Sequence, residues 1–351
     1  MRENKAMKID ILCNDGSPIG VTYQTMMGDD PEQIGVGGAE LALLTMCEEW
    51  TKLGHTVRLY NNPRVYNASP FEQLSINSFY PRDKRDVLIV FRSPNHKIAG
   101  ANGLKVWWSC DQFTVGDFRQ FSGYVDKIVT ISPFHTKYFE DTYGIKNTIP
   151  IDLPVRINDY DGIEIEKVPN RIIFTSIPHR GLHLLFDMWG DIRKGIPDAT
   201  LVITSDYRLW GNYSPGVDEY RYLGVMNAKN GVIYLGAIPR RQLVKEELSA
   251  QLFVYPAIYE ELFCIACSEA MYASAYPITS STGALETTNM GTVIPKDAGD
   301  LYQQFINEIV YLLTNKDELK LRQQRVHELA LQRFAPSVIL QQWDEKVFKH
   351  G

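Results

Sequence analysis

The stretch "YEELFCIACSEA", Tyr259–Ala270, places carboxylates around a cysteine- and alanine-rich segment that is apolar enough to be buried. Glu261 and Glu269 are eight positions apart. On one continuous helix they would lie about 80° apart around the axis and roughly 12 Å apart along it. We therefore predict that Glu261 lies in a loop and Glu269 inside the helix that follows. The N-terminus of that helix, around residues 263–266, would bind phosphate, and both carboxylates would accept hydrogen bonds from sugar hydroxyl groups. The alternative is a surface helix with ordinary acidic residues, which is our interpretation of Glu260.

A second candidate site is "GVGGAE", residues 35–40, which follows the first predicted strand and precedes a helix. Gly37 and Gly38 permit close approach of the backbone to a ligand, and the first N–H groups of the helix can bind an anion. The stretch lacks the G-x-G-x-x-G pattern of dinucleotide-binding proteins, and the second predicted strand ends in Asn61 and Asn62 rather than in an acidic residue. A glycine turn without a ligand is an equally good interpretation of this stretch taken alone.

The cysteine and aspartate spacings do not predict a metal site. The five cysteines are odd in number and have no framework spacing, so we expect reduced thiols. The pair Cys264 and Cys267 resembles half of a zinc or redox site, but no second Cys or His pair has matching spacing, which favours small buried side chains. The "DYD" at residues 159–161 is similar to a metal-binding D-x-D, but it lies in a predicted connector. We expect no catalytic metal and no cofactor.

Strands alternate with helices from "KIDILC" onward, and the alternation restarts at "RIIFTS" after a connector rich in Asp, Pro and Gly at residues 150–170. The pattern predicts an α/β fold of two doubly wound, Rossmann-like domains that face a cleft, with ligands at the carboxyl ends of the strands. We predict an N-terminal domain over residues 1–155, joined by a C-terminal helix at about 335–351, and a C-terminal domain over residues 156–334.

The composition limits the classes of function. The chain has 351 residues, of which 44% are hydrophobic and 22% charged, as expected for a globular protein with two cores. Its net charge of -6 gives no strongly basic face, so we expect no nucleic-acid partner. The opening "MRENKAMKIDILC" has too short an apolar run for a signal peptide, and no run reaches transmembrane length, so a cytoplasmic protein is expected.

The stretch around Glu261 resembles the E-x7-E signature of the retaining glycosyltransferases of family four, which have the two-domain GT-B fold. The family pattern is approximately P-S-x-x-E-x-F-G-x-x-x-x-E-A. Glu261, Phe263, Glu269 and Ala270 are in register, and Cys264 stands where glycine is usual. Further stretches across the chain resemble the family: "GVIYLGAIPRRQLVKEELSAQLFVYPA", "TSSTGALETT", "VDKIVTISPFHTKYFEDTYGI" and "QRFAPSVILQQW".

The resemblance implies transfer of a hexose-type sugar from a nucleoside-diphosphate sugar to a hydroxyl acceptor, with retention at the anomeric carbon. It implies that Glu269 holds the ribose hydroxyls and that Glu261 contacts the transferred sugar near the reacting carbon. Further donor contacts are expected from the glycine loops, the loop after the first strand of the second domain and the helix start. These residues are Gly37, Gly38, Ser176, Phe263, Cys264, Ile265, Thr282 and Gly283.

One departure from the family pattern concerns the charge near the diphosphate. The family's G-R-L-x-x-x-K-G segment corresponds to "FTSIPHRGLHLL", which has Phe174 and Thr175 at the positions of Gly and Arg. Arg180 remains as a permanent cation suited to phosphate, although a solvated surface arginine is the alternative. A second cation has three candidates: His179, Arg240 and Arg241.

The other departure is "VWWSCDQF", where the family often has His-Asp beside the donor sugar and this chain has Cys110 and Asp111. A thiol cannot replace an imidazole as a protonatable donor. The resemblance therefore extends to Asp111 as a catalytic residue, and Cys110 is predicted to be a pocket wall.

Transfer with retention requires stabilisation of the departing diphosphate more than a strong base, so Arg180 and helix N-termini are the predicted main catalytic groups. The sequence places no second carboxylate for a double displacement. Three alternatives stay open. They are a degenerate sugar-nucleotide- or glycan-binding module, another nucleotide-sugar enzyme such as a phosphorylase-like or epimerase relative, and a Rossmann dehydrogenase.

The acceptor is the partner that the sequence defines least. We expect a glycan or lipid-linked glycan against the N-terminal domain, along residues 18–38 and 60–80. There Tyr23, Tyr66 and Phe71 offer aromatic faces to a sugar ring or serve as packing residues. Peripheral membrane contact goes with a lipid-linked acceptor, although no stretch has the basic amphipathic pattern of a membrane-surface helix. UDP and GDP sugars both fit the sequence.

Overall fold

The computed structural model describes residues 6–13, 21–27, 34–63, 68–112, 116–210 and 226–349. These residues form two compact units, each with its own parallel sheet. The first unit comprises the described residues of Met1–Met26, Ala39–Pro154 and Pro336–Gly351. The second comprises those of Met27–Gly38 and Val155–Ala335.

The strands of the first unit are β1 (Lys8–Leu12), β2 (Thr56–Tyr60), β3 (Glu72–Leu74), β4 (Val87–Phe91), β5 (Leu104–Trp108), β6 (Lys127–Thr130) and β7 (Thr148–Pro150). Their order in the sheet is β3-β2-β1-β4-β5-β6-β7, and all neighbouring pairs run parallel. The central strand β4 is buried along its whole length, as expected for a parallel strand covered on both faces.

The strands of the second unit are β8 (Arg171–Phe174), β9 (Thr200–Ile203), β10 (Val232–Tyr234), β11 (Leu252–Tyr255), β12 (Tyr276–Ser280) and β13 (Thr292–Ile294). They form a parallel sheet in the order β10-β9-β8-β11-β12-β13. The chain leaves β8 toward β9 on one side and later returns to β11 on the other. In a doubly wound sheet, the carboxyl ends of the two strands at such a reversal form a ligand-binding crevice.

The described helices cover the amphipathic and apolar stretches between these strands. They are α1 (Tyr23–Met27), α2 (Gly38–Lys52), α3 (Phe118–Ser122), α4 (Pro133–Tyr143), α5 (Leu182–Gly195), α6 (Arg240–Ser249), α7 (Ile265–Tyr272), α8 (Leu285–Thr288), α9 (Leu301–Thr314), α10 (Lys316–Phe334) and α11 (Pro336–Trp343). A π-helical turn, Asp344–Phe348, extends α11. Within the described residues, no helix has the length and apolar character needed to cross a bilayer.

Three tryptophans join distant parts of the first unit. Trp50 of α2, Trp108 of β5 and Trp343 of α11 pack edge to face, with ring centroids 5.2–6.4 Å apart. Large buried aromatic rings contribute much apolar area, and edge-to-face contacts add further stabilisation. These contacts pack the C-terminal helix α11 against α2 and β5 of the first unit.

The predicted α/β fold class with parallel sheets is confirmed. Sequence reasoning missed the short edge strands β3, β7 and β13, each of three residues, as well as the short helices α1, α3 and α8. A three-residue strand has no room to show an apolar alternation, and its pairing is set by the neighbouring strand rather than by its own composition.

Candidate functional site

The loops after β8 and β11 meet where the strand order of the second sheet reverses. Gly181 has a φ of +143°, and a Cβ atom there would lie 2.2 Å from the Pro256 carbonyl oxygen. Only glycine permits this approach. The Ile258 N–H also donates to the Arg180 carbonyl oxygen at 3.1 Å. These contacts hold Arg180, which ends the 3₁₀ turn Pro178–Arg180, beside the loop that carries Glu261.

Arg180 and Glu261 form an ion pair at this edge of the sheet. Arg180 Nη1 lies 3.0 Å from Glu261 Oε1, and the guanidinium stands over the ring of Tyr259 at 4.0 Å from its centroid. The Glu261 residue is 8% exposed. Burial is the largest influence and acts to lower the pKa of Arg180, but the interactions with Glu261, Tyr255 and Tyr259 together outweigh it and raise that pKa. Arg180 is therefore charged at any physiological pH.

Tyr255 fixes the orientation of the Glu261 carboxylate. Its hydroxyl donates to Glu261 Oε1 at 2.7 Å and accepts a hydrogen bond from the Ser176 hydroxyl. Burial raises the pKa of Tyr255 well above its ordinary value, so the phenol remains a donor. Within the described chain no side chain or N–H group donates to Glu261 Oε2. That oxygen is the one available to a ligand hydroxyl.

The loop after β12 supports Glu261 from the other side. Glu261 and Gly283 form a parallel β-bridge, and the Ala284 N–H donates to the Glu261 carbonyl oxygen at 2.7 Å. The Thr282 hydroxyl donates to the Ala257 carbonyl oxygen at 3.0 Å and is buried. Thr282 therefore connects two loops, and its side chain is not directed at solvent.

We expect Gly283→Ala to destabilise the protein and to displace Glu261. Gly283 has a φ of +61°, and a Cβ atom there would lie 2.4 Å from the Glu261 carbonyl oxygen. Gly162 is the matched control, because its φ is +72° and nothing lies within 4 Å of its added Cβ. Gly162→Ala should cost about 1–2 kcal/mol of unfolding free energy, and Gly283→Ala at least twice as much. Urea unfolding of both variants measures the difference; equal losses would show that the backbone contact is unimportant.

The start of α7 contains three predicted donor-binding residues. Phe263 is buried and packs against Phe334, with ring centroids 5.5 Å apart, so its side chain belongs to the core. Cys264 precedes the helix with a φ of +76°, in the left-handed region that glycine adopts without strain, and it stands where the family pattern has glycine. Burial raises the pKa of its thiol well above the ordinary value, so the thiol is neutral. Ile265 is the first residue of α7.

Glu269 lies inside α7 and pairs with an arginine that the sequence suggested only as a phosphate ligand. Glu269 Oε1 is 2.7 Å from Arg240 Nη2, and Arg240 Nε donates to Asp159 Oδ2 at 2.7 Å. Arg240 is 3% exposed. It is therefore a buried partner of two carboxylates and not a surface cation.

The "DYD" at residues 159–161 belongs to the same polar cluster. Asp159 Oδ1 accepts a hydrogen bond from Arg156 Nε at 2.7 Å, and Arg240 occupies the other oxygen. Both carboxylate oxygens of Asp159 thus pair with cations. Across the described ranges, no group of three or more His, Cys, Asp or Glu side chains is arranged to hold a metal ion.

Asp111 and Cys110 lie in the first unit, after β5. Asp111 Oδ2 is 3.6 Å from Arg92 Nε, and Arg92 Nη2 donates to Glu40 Oε1 at 2.6 Å. Arg92 has a left-handed φ of +62°, an unusual conformation for a non-glycine residue. Burial raises the pKa of the Cys110 thiol well above its ordinary value, which matches a pocket wall better than a nucleophile.

The remaining predicted residues are the glycines and the aromatic residues of the N-terminal loops. Gly37 precedes α2 and Gly38 begins it; a Cβ atom on Gly38 would lie 2.2 Å from Ile265 Cγ2, within the second unit. Tyr23 and Phe71 pack edge to face at 5.9 Å, so they serve at least partly as packing residues. Tyr66 lies outside the described residues.

Sequence reasoning missed Tyr255 and Tyr259 and misjudged the partner of Arg240. A tyrosine that ends an otherwise apolar strand needs a partner for its hydroxyl, and this was the available signal for Tyr255. Nothing local pointed to the pairing of Arg240 with Glu269, because the two residues lie on different helices.

Comparison with known proteins adds to this geometry. Residues 169–325 match the family model described as glycosyl transferases group 1. This part of the chain is therefore similar to the domains that the group 1 model describes. It contains Arg180, Glu261, Glu269 and Gly283. No curated protein sequence is significantly similar to the chain.

Several solved structures are similar over nearly the whole chain. Sucrose-phosphate synthase from Thermosynechococcus elongatus is 16% identical with a TM-score of 0.70, covering 98% of this chain and 100% of that one. HepE from Anabaena, in complex with UDP-glucose, is 15% identical with a TM-score of 0.69, covering 97% and 99%. A glycosyltransferase from Rickettsia africae ESF-5 is 14% identical with a TM-score of 0.71, covering 99% of each. These likenesses show the GT-B fold.

Proposed function

We propose that the chain is a retaining glycosyltransferase of family four that moves a hexose-type sugar from a nucleoside-diphosphate sugar to a hydroxyl acceptor. The observation that carries the proposal is the Arg180–Glu261 pair at the carboxyl ends of β8 and β11, within the part of the chain that matches the group 1 glycosyltransferase model. Retention rests on the resemblance to the E-x7-E family. A UDP sugar is the proposed donor, because the similar HepE structure contains UDP-glucose.

In the proposed reaction, the bond between sugar C1 and the diphosphate oxygen breaks while the acceptor oxygen bonds to C1 on the same face. The acceptor proton passes to a donor phosphate oxygen, and the nucleoside diphosphate leaves. Arg180 stabilises the negative charge that develops on the diphosphate, and partial burial strengthens this interaction. Glu261 Oε2 accepts a hydroxyl of the transferred sugar while Tyr255 and Arg180 hold Oε1.

Glu269 accepts the ribose hydroxyls, and Asp111 contributes to catalysis. The reaction needs no divalent metal, which the pairing of both Asp159 oxygens with arginines supports. The acceptor is a glycan or lipid-linked glycan, with peripheral membrane contact in the second case. A cytoplasmic location is supported by the five cysteines, none of which forms a disulfide.

The test is a panel of UDP, GDP, dTDP and ADP sugars, with release of nucleoside diphosphate measured with and without EDTA. We expect release from one nucleotide class and no effect of EDTA. A parallel thermal-shift series detects binding, because a ligand at about 100 times its Kd stabilises the fold by about 2.7 kcal/mol. Binding without release, after addition of glycan acceptors, would favour a non-catalytic sugar-nucleotide-binding module. Loss of release in EDTA would contradict the metal-free mechanism.

A further inference from the structure

Arg240 is the most deeply enclosed cation of the candidate site. It begins α6, is 3% exposed, and its guanidinium lies 5.6 Å from the centroid of the Tyr160 ring. Asp159 Oδ2 lies 2.7 Å from Arg240 Nε, and Glu269 Oε1 lies 2.7 Å from Arg240 Nη2. An arginine buried among carboxylates costs desolvation free energy, and that cost is recovered only if the charges are well paired.

The geometry of the Arg240–Glu269 contact leaves the carboxylate able to accept more hydrogen bonds. Glu269 Oε1 is buried and lies 2.7 Å from Arg240 Nη2, and Arg240 is its partner among the described residues. No group in the described part of the chain donates to Oε2. A buried carboxylate with such unmet acceptor capacity is costly, which indicates that a donor is supplied by a ligand.

Burial raises the pKa of Glu269, and Arg240 is the group that opposes the rise. Without this cation, the carboxyl group would become protonated or would turn away from its present rotamer. In either case it would lose the capacity to accept two charge-assisted hydrogen bonds from adjacent hydroxyl groups.

We propose that Arg240 is a positioning residue for nucleotide recognition: it holds the Glu269 carboxyl group in one rotamer, and thereby sets the preference for ribose over deoxyribose in the donor. The inference rests on the proposed function, because Glu269 is taken to contact the ribose. Asp159 supports Arg240 from the opposite side. The effect is indirect, since Arg240 itself contacts the carboxylate and not the nucleotide.

The test compares the affinities of UDP and 2′,3′-dideoxy-UDP by calorimetry, or of the nucleotide pair that the donor panel selects. Hydrogen bonds to a charged acceptor predict that the wild type prefers the ribonucleotide by about ten- to a hundredfold. Arg240→Met and Glu269→Gln should both reduce this preference to about threefold or less. Lys245→Met is the matched control, because Lys245 is an exposed cation of the same helix α6, and it should keep the wild-type preference.

The ratio of the two affinities distinguishes a positioning role from a general loss of structure, because a general loss would weaken the binding of both nucleotides to the same extent. If Arg240→Met does not fold, as judged by circular dichroism, Arg240→Gln takes its place with the same expected loss of preference. A folded Arg240 variant that retains the wild-type preference would overturn the inference and leave the proposed function intact. Failure of the wild type to bind any nucleoside diphosphate would instead remove the proposed function.

Discussion

Replacing Arg180 with methionine is expected to lower the rate of sugar transfer by about 10²- to 10³-fold, the usual cost of removing one preorganised group that stabilises transition-state charge. Arg180 carries a permanent charge, lies beside Glu261 at 3.0 Å and is held by the ring of Tyr259. Methionine keeps much of the side-chain length and removes only the charge and the donors. The measurement is kcat and KM for the donor selected by the panel.

Two further variants separate the loss of catalysis from the loss of stability. Arg180→Met leaves the buried Glu261 without its cation, which alone destabilises a fold by about 3–5 kcal/mol. The double variant Arg180→Met/Glu261→Gln removes that unpaired charge and should recover much of the stability, yet remain inactive. Arg180→Lys retains the charge without the planar fork and should be intermediate. Activity in the double variant close to that of the wild type would exclude Arg180 and Glu261 from the reaction.

Substituting Glu247 with glutamine is expected to flatten the pH dependence of the free energy of unfolding between about pH 5 and pH 8. Glu247 of α6 is completely buried and accepts a hydrogen bond from the Tyr160 hydroxyl at 2.5 Å. Burial, and secondarily the charge of Glu269, raises its pKa from 4.5 to about 8. The folded protein therefore keeps a proton that the unfolded chain releases, and stability falls as pH rises through this window, by at most about 1.4 kcal/mol per pH unit.

Glutamine imitates the protonated carboxyl group, so the variant and the wild type should have similar stability at pH 5, and the variant should be more stable by a few kcal/mol at pH 8. Lys167 changes the pH dependence of stability in the opposite direction. Burial lowers its pKa to about 7, so above that pH the unfolded chain binds a proton that the folded protein lacks, and stability rises with pH. Both proteins contain Lys167, whose pKa is raised by the charge of Glu247, so the difference between their urea unfolding curves reports Glu247 together with its interaction with Lys167. Parallel stability profiles from pH 5 to pH 8 would show that Glu247 is ionised in the folded protein.

The elements that can be predicted from the sequence are those with strong local patterns. The fully buried β4 and the long apolar face of α5 are determined by their own residues, since periodicity of hydrophobic residues reflects burial. The position of Glu269 inside a helix and of Glu261 before it also follows from local reasoning, because their spacing excludes convergence on one helix face. Glu261 indeed precedes α7, in a bridge with Gly283.

The electrostatic network could not be predicted from the sequence, because its partners come from separate elements. Asp159 belongs to a short 3₁₀ turn in the predicted connector, Arg240 begins α6, and Glu269 lies in α7. Their pairing depends on packing in three dimensions, and a single sequence gives no measure of it. The connector carries these buried contacts even though its composition resembles that of a loop.

Two positions with a left-handed backbone, Gly283 and Cys264, show what the sequence reveals and what only the structure reveals. The sequence identified Gly283 through its resemblance to a family loop, but only the structure shows that a Cβ atom there would contact the Glu261 backbone. Conversely, Cys264 departs from the family's glycine and nevertheless adopts the left-handed backbone that glycine favours. The family pattern thus records a backbone requirement that this chain meets with a different residue.

The central claim is that this chain cleaves a nucleoside-diphosphate sugar with retention at the site of Arg180 and Glu261. Time-resolved proton NMR of the donor reaction tests it most directly, because the α and β anomers of the sugar first transferred, to acceptor or to water, have distinct couplings. With an α-linked donor such as UDP-glucose, we predict that the α anomer forms first and that Arg180→Met suppresses its formation. Initial appearance of the β anomer, or the same rate in the variant, would contradict the claim.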